Sequence, residues 1–166
     1  QLHGGSNTTR MIQVFEGSGT PSTGAVTITV AGANNTGCAW AFMEVSGAAV
    51  PTRIQVVTDS ETTGTTSHTL NTLAALGDAA NLVIAVANVN LNETLTIGGV
   101  GWTALTNTSI SAPVDSQRGS HKINDISPSW SAVGSGRWGS VALELNEPAA
   151  AAAAAGAFRS GRGGWW

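Results

Sequence analysis

Alternation of apolar and polar residues, rather than helical spacing, runs through this chain. Ala25 to Ala31, AVTITVA, shows it most cleanly: Val26, Ile28 and Val30 face one way, Thr27 and Thr29 the other. Arg10 to Glu16 alternates around Ile12 and Val14. Cys38 to Val45, CAWAFMEV, is largely apolar on both faces, so both faces expect cover. After Pro51, Arg53 to Thr58 reads as a strand, and the Thr-rich Asp59 to Ser67 as a loop or edge strand. Leu70, Leu73 and Leu76 precede Gly77-Asp78. Asn81 to Asn90 then reads as a central strand. Its bulky residues Leu82, Ile84 and Val86 are expected on the core, with Val83, Ala85 and Ala87 against a close neighbour. Leu95 to Ile97 is a short strand, and Gly98, Gly99 and Gly101 let the chain bend before Trp102. Gly119 to Ile123, Ser129 to Val133 and Arg137 to Leu145 complete the set, the last with Val141, Leu143 and Leu145 inward. No stretch before residue 149 keeps a helical repeat. Short strands between Gly, Ser and Asn turns predict an all-β, antiparallel β-sandwich, jelly-roll or Ig-like.

An internal echo divides the chain. CAWAFMEVSG and RWGSVALELNE both place a Glu in a closing strand, at Glu44 and Glu144. Residues 1–50 therefore read as a partial β unit, the back half of a sandwich repeat, and residues 51–147 as a complete copy. A half sandwich leaves an apolar face to be covered by the second unit, by a neighbouring chain or by further sequence. Residues 148–166 form an Ala-rich linker, Ala149 to Ala155, and a Trp-ended tail. The Ala run is too short to be a stable helix alone.

Composition narrows the functional classes. Charged residues make up 10% of the 166, so the surface is built from Thr, Ser and Asn, as suits a protein covered by neighbours. Net charge is −3 with seven Lys and Arg and no basic stripe, which argues against nucleic-acid binding. One cysteine, Cys38, rules out an internal disulfide framework and a cysteine zinc site, and its apolar strand makes it a buried thiol. No apolar run reaches the ~18 residues of a membrane helix, so membrane insertion is not expected. No signal-peptide pattern is visible, and a chain opening at Gln1 reads as a processed product or the ordered part of a longer one.

Candidate chemistry is sparse. His3, His68 and His121 lie in polar segments without metal spacing and are expected to be solvated. Glu44 and Glu144 occupy like positions, but outward faces or a subunit contact suit them better than a carboxylate pair. GGVGW lacks the ending and the following helix of a phosphate loop. Lys122 is the one lysine, and an isopeptide bond to Asn or Asp is a minor option. Asn7, Asn34, Asn92 and Asn107 head N-x-[ST] triplets at about the number that chance gives in so Ser/Thr-rich a chain. No catalytic residue, metal ligand or cofactor is expected. Trp102 beside its glycines is either a core residue or a stacking platform for a glycan, and the core is the plainer reading.

The order of motifs from residue 51 onward resembles a known module. SHTL is followed by GD, NLVIAVANVN, GVGWTAL, a later Trp strand and a closing ALEL. This is similar to a β-sandwich module frequent in tailed-phage virion proteins, found singly or in tandem in tail, fibre and head-decoration proteins. EVSG at Glu44 to Gly47 resembles that module's usual ending. The likeness covers the second unit fully and the first by its back half, a departure from the tandem pattern. It implies a virion-surface or assembly role without catalytic residues. The expected function is a non-enzymatic phage structural protein that self-assembles into a surface layer or fibre, contacting its own copies and other virion proteins. The alternatives are a receptor- or carbohydrate-binding adhesin and an extracellular filament subunit. Trp40 and Phe42 in the partial unit, and Phe158, Arg159, Arg162, Trp165 and Trp166 in the tail, are the expected interface residues, since Trp and Arg dominate binding hot spots.

Overall fold

The computed structural model describes residues 12, 14, 53–71, 73–111 and 114–146. Six strands cover most of this range: β1 (Arg53–Thr69), β2 (Leu82–Val89), β3 (Thr96–Ile97), β4 (Thr103–Ser111), β5 (Val114–Ile123) and β6 (Ser129–Leu145). They form one antiparallel sheet in the order β1-β6-β2-β5-β4, with β3 joined to β6 beside that path. The all-β antiparallel class expected from the alternation is the class observed. Of the predicted strand at residues 10–16, Ile12 is buried and Val14 exposed. The other predicted strands of the first unit, and the tail, lie outside the described residues.

One long ribbon sets the architecture. The C-terminal half of β6 lies between β1 and β2. Its N-terminal end, Ser129 to Ser131, lies between the end of β1, Ser67 to Thr69, and β3. Trp130 and Trp138 are eight residues apart along β6, a span of about 26 Å in a straight strand. Yet both rings stack on His68, with centroids 6.2 and 6.1 Å away and planes within 16° and 12°. The ribbon therefore bends back over the sheet. Its ladder records the bend: Glu61 and Thr65 face Trp138 and Gly136, while Thr65 and Ser67 face Gly136 and Ser131, with a register shift in each interval.

The core fills the space under the bend. Val83, Ala85, Ala87 and Val89 of β2 meet Trp138 and Ala142 of β6, and Leu70, Leu73, Leu95 and Trp130 close over them. This corrects the expected orientation of β2, whose small-residue face looks into the main core. The alanines leave room for the two indole rings. Leu82, Ile84 and Val86 turn the other way, and Ile84 joins Leu143 and Leu145 in a second, smaller cluster. Three boundaries also differ from expectation. β5 begins at Val114 rather than Gly119, whereas the Thr-rich stretch takes the edge-strand form, one of its two expected forms, as part of β1. Residues 129–145 form one continuous strand rather than two. Residues 103–111 form β4, which carries too few apolar residues to announce itself. The glycine bend before Trp102 is as expected: Gly99 and Gly101 sit at φ +84° and +87°, and Trp102 packs half-buried against the main core.

Backbone groups released by the bend are recaptured by the loop after β2. Asn90 Oδ1 accepts from the Arg137 amide at 2.6 Å, and Glu93 accepts from the Val133 and Gly134 amides at 2.8 and 3.0 Å. That loop is itself held from β4 and β5. Ser116 Oγ donates to Leu91 O and accepts from the Glu93 amide, while Arg118 and Asn107 donate to Leu95 O. The fit at the bend is tight. A Cβ on Gly136 would stand 2.5 Å from Val89 Cγ2 and 2.9 Å from both Asn90 Oδ1 and Leu91 Cγ. Gly136→Ala should therefore lower unfolding stability by about 1–3 kcal/mol, as overpacking does, measured by chemical denaturation. A neutral result would mean the loop yields freely.

Candidate functional site

The expected interface residues Trp40, Phe42, Phe158, Arg159, Arg162, Trp165 and Trp166 lie outside the described residues, as do Glu44, Cys38 and His3. Within them, the polar groups that looked chemically suggestive are drawn into the structure.

Glu144 corrects the expectation of an outward face, because it is fully buried. Its position on β6 places the side chain on the same face as Ala142 and Trp138, under the crossover that carries β1 to β2. One carboxylate oxygen accepts from the Gly77 amide at 2.8 Å and from Asn81 Nδ2 at 2.6 Å. The other accepts from Gln55 Nε2 at 2.6 Å. Gln55 Oε1 in turn accepts from the Ala74 amide at 3.2 Å. The arrangement holds residues 74–81 against the sheet and leaves no room for a substrate at the carboxylate.

His68 is the second correction. It is buried, not solvated, because it lies on the bent end of β1 where both Trp rings reach it. Its Nε2 is 2.8 Å from Ser140 Oγ. Burial pushes the imidazole below its ordinary value, and the nearby Asp59 and Glu61 carboxylates oppose that shift without reversing it. Trp138 Nε1 donates to Thr65 O at 2.9 Å, so this ring also secures the shifted part of β1.

Lys122 forms an ion pair with Asp125 at 2.9 Å. Burial pushes the Asp125 carboxyl up, but the Lys122 and Ser127 hydrogen bonds, the Lys122 charge and Trp102 together hold it below the usual range. His121 is half-buried on β5, and Asn92 and Asn107 are exposed. Among the described residues no three His, Cys, Asp or Glu side chains gather into a metal-binding group, and no helix is long and apolar enough to cross a membrane.

The surface is bland by contrast. Val100 and Val133 stand 91% exposed at loop and bend tips, Ile54 and Val56 are exposed on the outer strand β1, and Ile123 is exposed at the end of β5. Two outer strands, β1 and β4, bound the main path of the sheet. Sequence reasoning missed β4 as an element, and missed Gln55, Asn81 and Glu93 as the polar partners of the folded ribbon. Their only signal is isolation: polar residues beside apolar runs. No family model, curated protein or solved structure matches this chain.

Two expectations follow from the buried groups. Glu144→Gln turns one acceptor into a donor facing donors, so stability should fall by about 1–3 kcal/mol. A double-mutant cycle with Gln55→Leu should show coupling of about 0.5–3 kcal/mol, and additivity would remove the shared network. For His68, the folded state disfavours the proton relative to the unfolded chain. Its contribution is complete above the ordinary histidine value of 6.5 and is lost as pH falls below it towards the depressed folded value. The unfolding free energy from chemical denaturation should fall as pH drops below 6.5, with a limiting slope of about 1.4 kcal/mol per pH unit. His68→Gln should flatten that dependence.

Proposed function

We propose that this chain is a non-enzymatic structural β-domain that acts by associating with its own copies, as a building unit of a phage surface layer or fibre. The observation that carries the reading is the distribution of polarity. The buried polar groups described above are engaged in holding a bent sheet together, which leaves the described surface to neutral Thr, Ser and Asn side chains, single exposed aliphatics such as Val100 and Val133, and two outer strands. A surface of Thr, Ser and Asn with 10% charged residues offers little repulsion between copies. The resemblance of residues 51–147 to the phage virion module supplies the setting. Burial of apolar surface and pairing of sheet edges supply the forces.

Sedimentation or light scattering across a range of concentrations tests the reading. The mass should rise with concentration, and deletion of residues 156–166 should weaken the association if the Trp-ended tail anchors it. A monomer at every concentration would overturn self-assembly. Assembly unaffected by the deletion would remove the tail from the mechanism.

A further inference from the structure

We propose that the outer edge of β4 is where a second copy of this chain docks, the two β4 strands pairing antiparallel about a two-fold axis. The inference rests on the assembly reading and names one contact of that assembly, a two-fold pairing that closes at two copies and joins them into the unit that further contacts would extend. Among the described residues β4 pairs only with β5, so alternate residues along Thr103–Ser111 turn N–H and C=O away from the sheet. Edges of this kind are usually guarded by Lys, Pro, charge or irregularity. TALTNTSIS has no charge and no Pro. Its one guard is the register shift between Ala104 and Thr106, which leaves Thr106 to Ser111 in unbroken register with β5.

The other outer strand differs. β1 carries Arg53, Asp59 and Glu61, and its ladder to β6 is interrupted three times. Two β1 edges brought together would set the carboxylates of Asp59 and Glu61 near those of the copy. Two β4 edges meet no formal charge, although the chain carries −3 as a whole. Antiparallel pairing of identical strands is self-complementary, so one patch serves both copies. It sets Thr, Asn and Ser opposite each other, pairs that add hydroxyl and amide hydrogen bonds to the main-chain ladder. The result is one sheet running through both copies.

Hydrogen exchange on the full chain reads this directly. Amides within 103–111 should gain protection as concentration rises, while those of β1 do not. A variant combining Ser109→Lys and Ser111→Lys, both exposed positions, brings like charges to the join. It should weaken self-association by about tenfold or more, with the melting temperature of the dilute chain unchanged. Ser60→Lys on β1 should leave association intact. Self-association without added protection at 103–111 would overturn the β4 edge and leave the assembly reading standing. A chain monomeric at all concentrations would overturn both.

Discussion

The rest of the structure depends on one constraint: the β1–β6 ribbon has to fold back over the sheet it belongs to. Taken straight, the five-strand path would expose the Val83, Ala85, Ala87 and Val89 face of β2 to water. The bend brings Trp130 and Leu70 over that face and lets His68 stack on two indole rings. Burying a large aromatic side chain contributes on the order of 1.5–3 kcal/mol, so two indoles are a major part of what a domain of this size needs. A bend also frees backbone groups, which are costly if buried unpaired. Asn90 and Glu93 accept from three of those amides, and Trp138 donates to Thr65 O. Packing and hydrogen bonding thus require the same geometry, which is what makes one bent arrangement preferred over a slipped or flattened ribbon.

Polar groups hold the two ends of the arrangement, one fully buried and one only half-buried. Glu144 holds the crossover at residues 74–81, and Glu93 holds the bend. Both work as acceptors for backbone amides, and both draw help from neutral side chains: Gln55 and Asn81 around Glu144, Ser116 at the loop that carries Glu93. A carboxylate can satisfy several donors that converge from different segments, which no apolar residue can do. That capacity explains an acidic residue at a fully buried position.

How much was legible in sequence follows from the same physics. The alternation of β2 and the last half of β6 announced strands, because both are flanked by apolar neighbours and carry large aliphatic residues. β4 did not, since TALTNTSIS presents a half-exposed surface made from residues equally common in loops, and the same composition leaves TTGTTSHT readable as either a loop or the edge strand it forms. The choice of core face on β2 was misleading for a related reason. Side-chain size along one strand favours the Leu82, Ile84, Val86 side, but volume is set by both partners, and the indoles come from residues more than forty positions away. His68 and Glu144 were misplaced because their partners, Ser140 and Gln55, are 72 and 89 positions distant in sequence. A polar residue looks solvated until its long-range partner is known.

The charged residues of the described region point to the same division between interior and surface. Arg118 donates to Leu95 O, Asp115 accepts from Asn88, Asp78 accepts from the Ala80 amide, and Lys122 pairs with Asp125. Charges that are tied to backbone and neighbours position segments of the chain, and they are poorly placed to recognise a charged ligand in solution. What remains on the outside is a Thr-, Ser- and Asn-rich surface with isolated aliphatic tips and two sheet edges of unequal character. On such a surface, among the described residues, the main-chain N–H and C=O groups at an edge offer a regular directional pattern beside the scattered hydroxyl and amide side chains. Recognition by these groups reads strand geometry rather than side-chain chemistry, which is why the proposed pairing of copies is placed at the neutral edge of β4 rather than at the charged edge of β1.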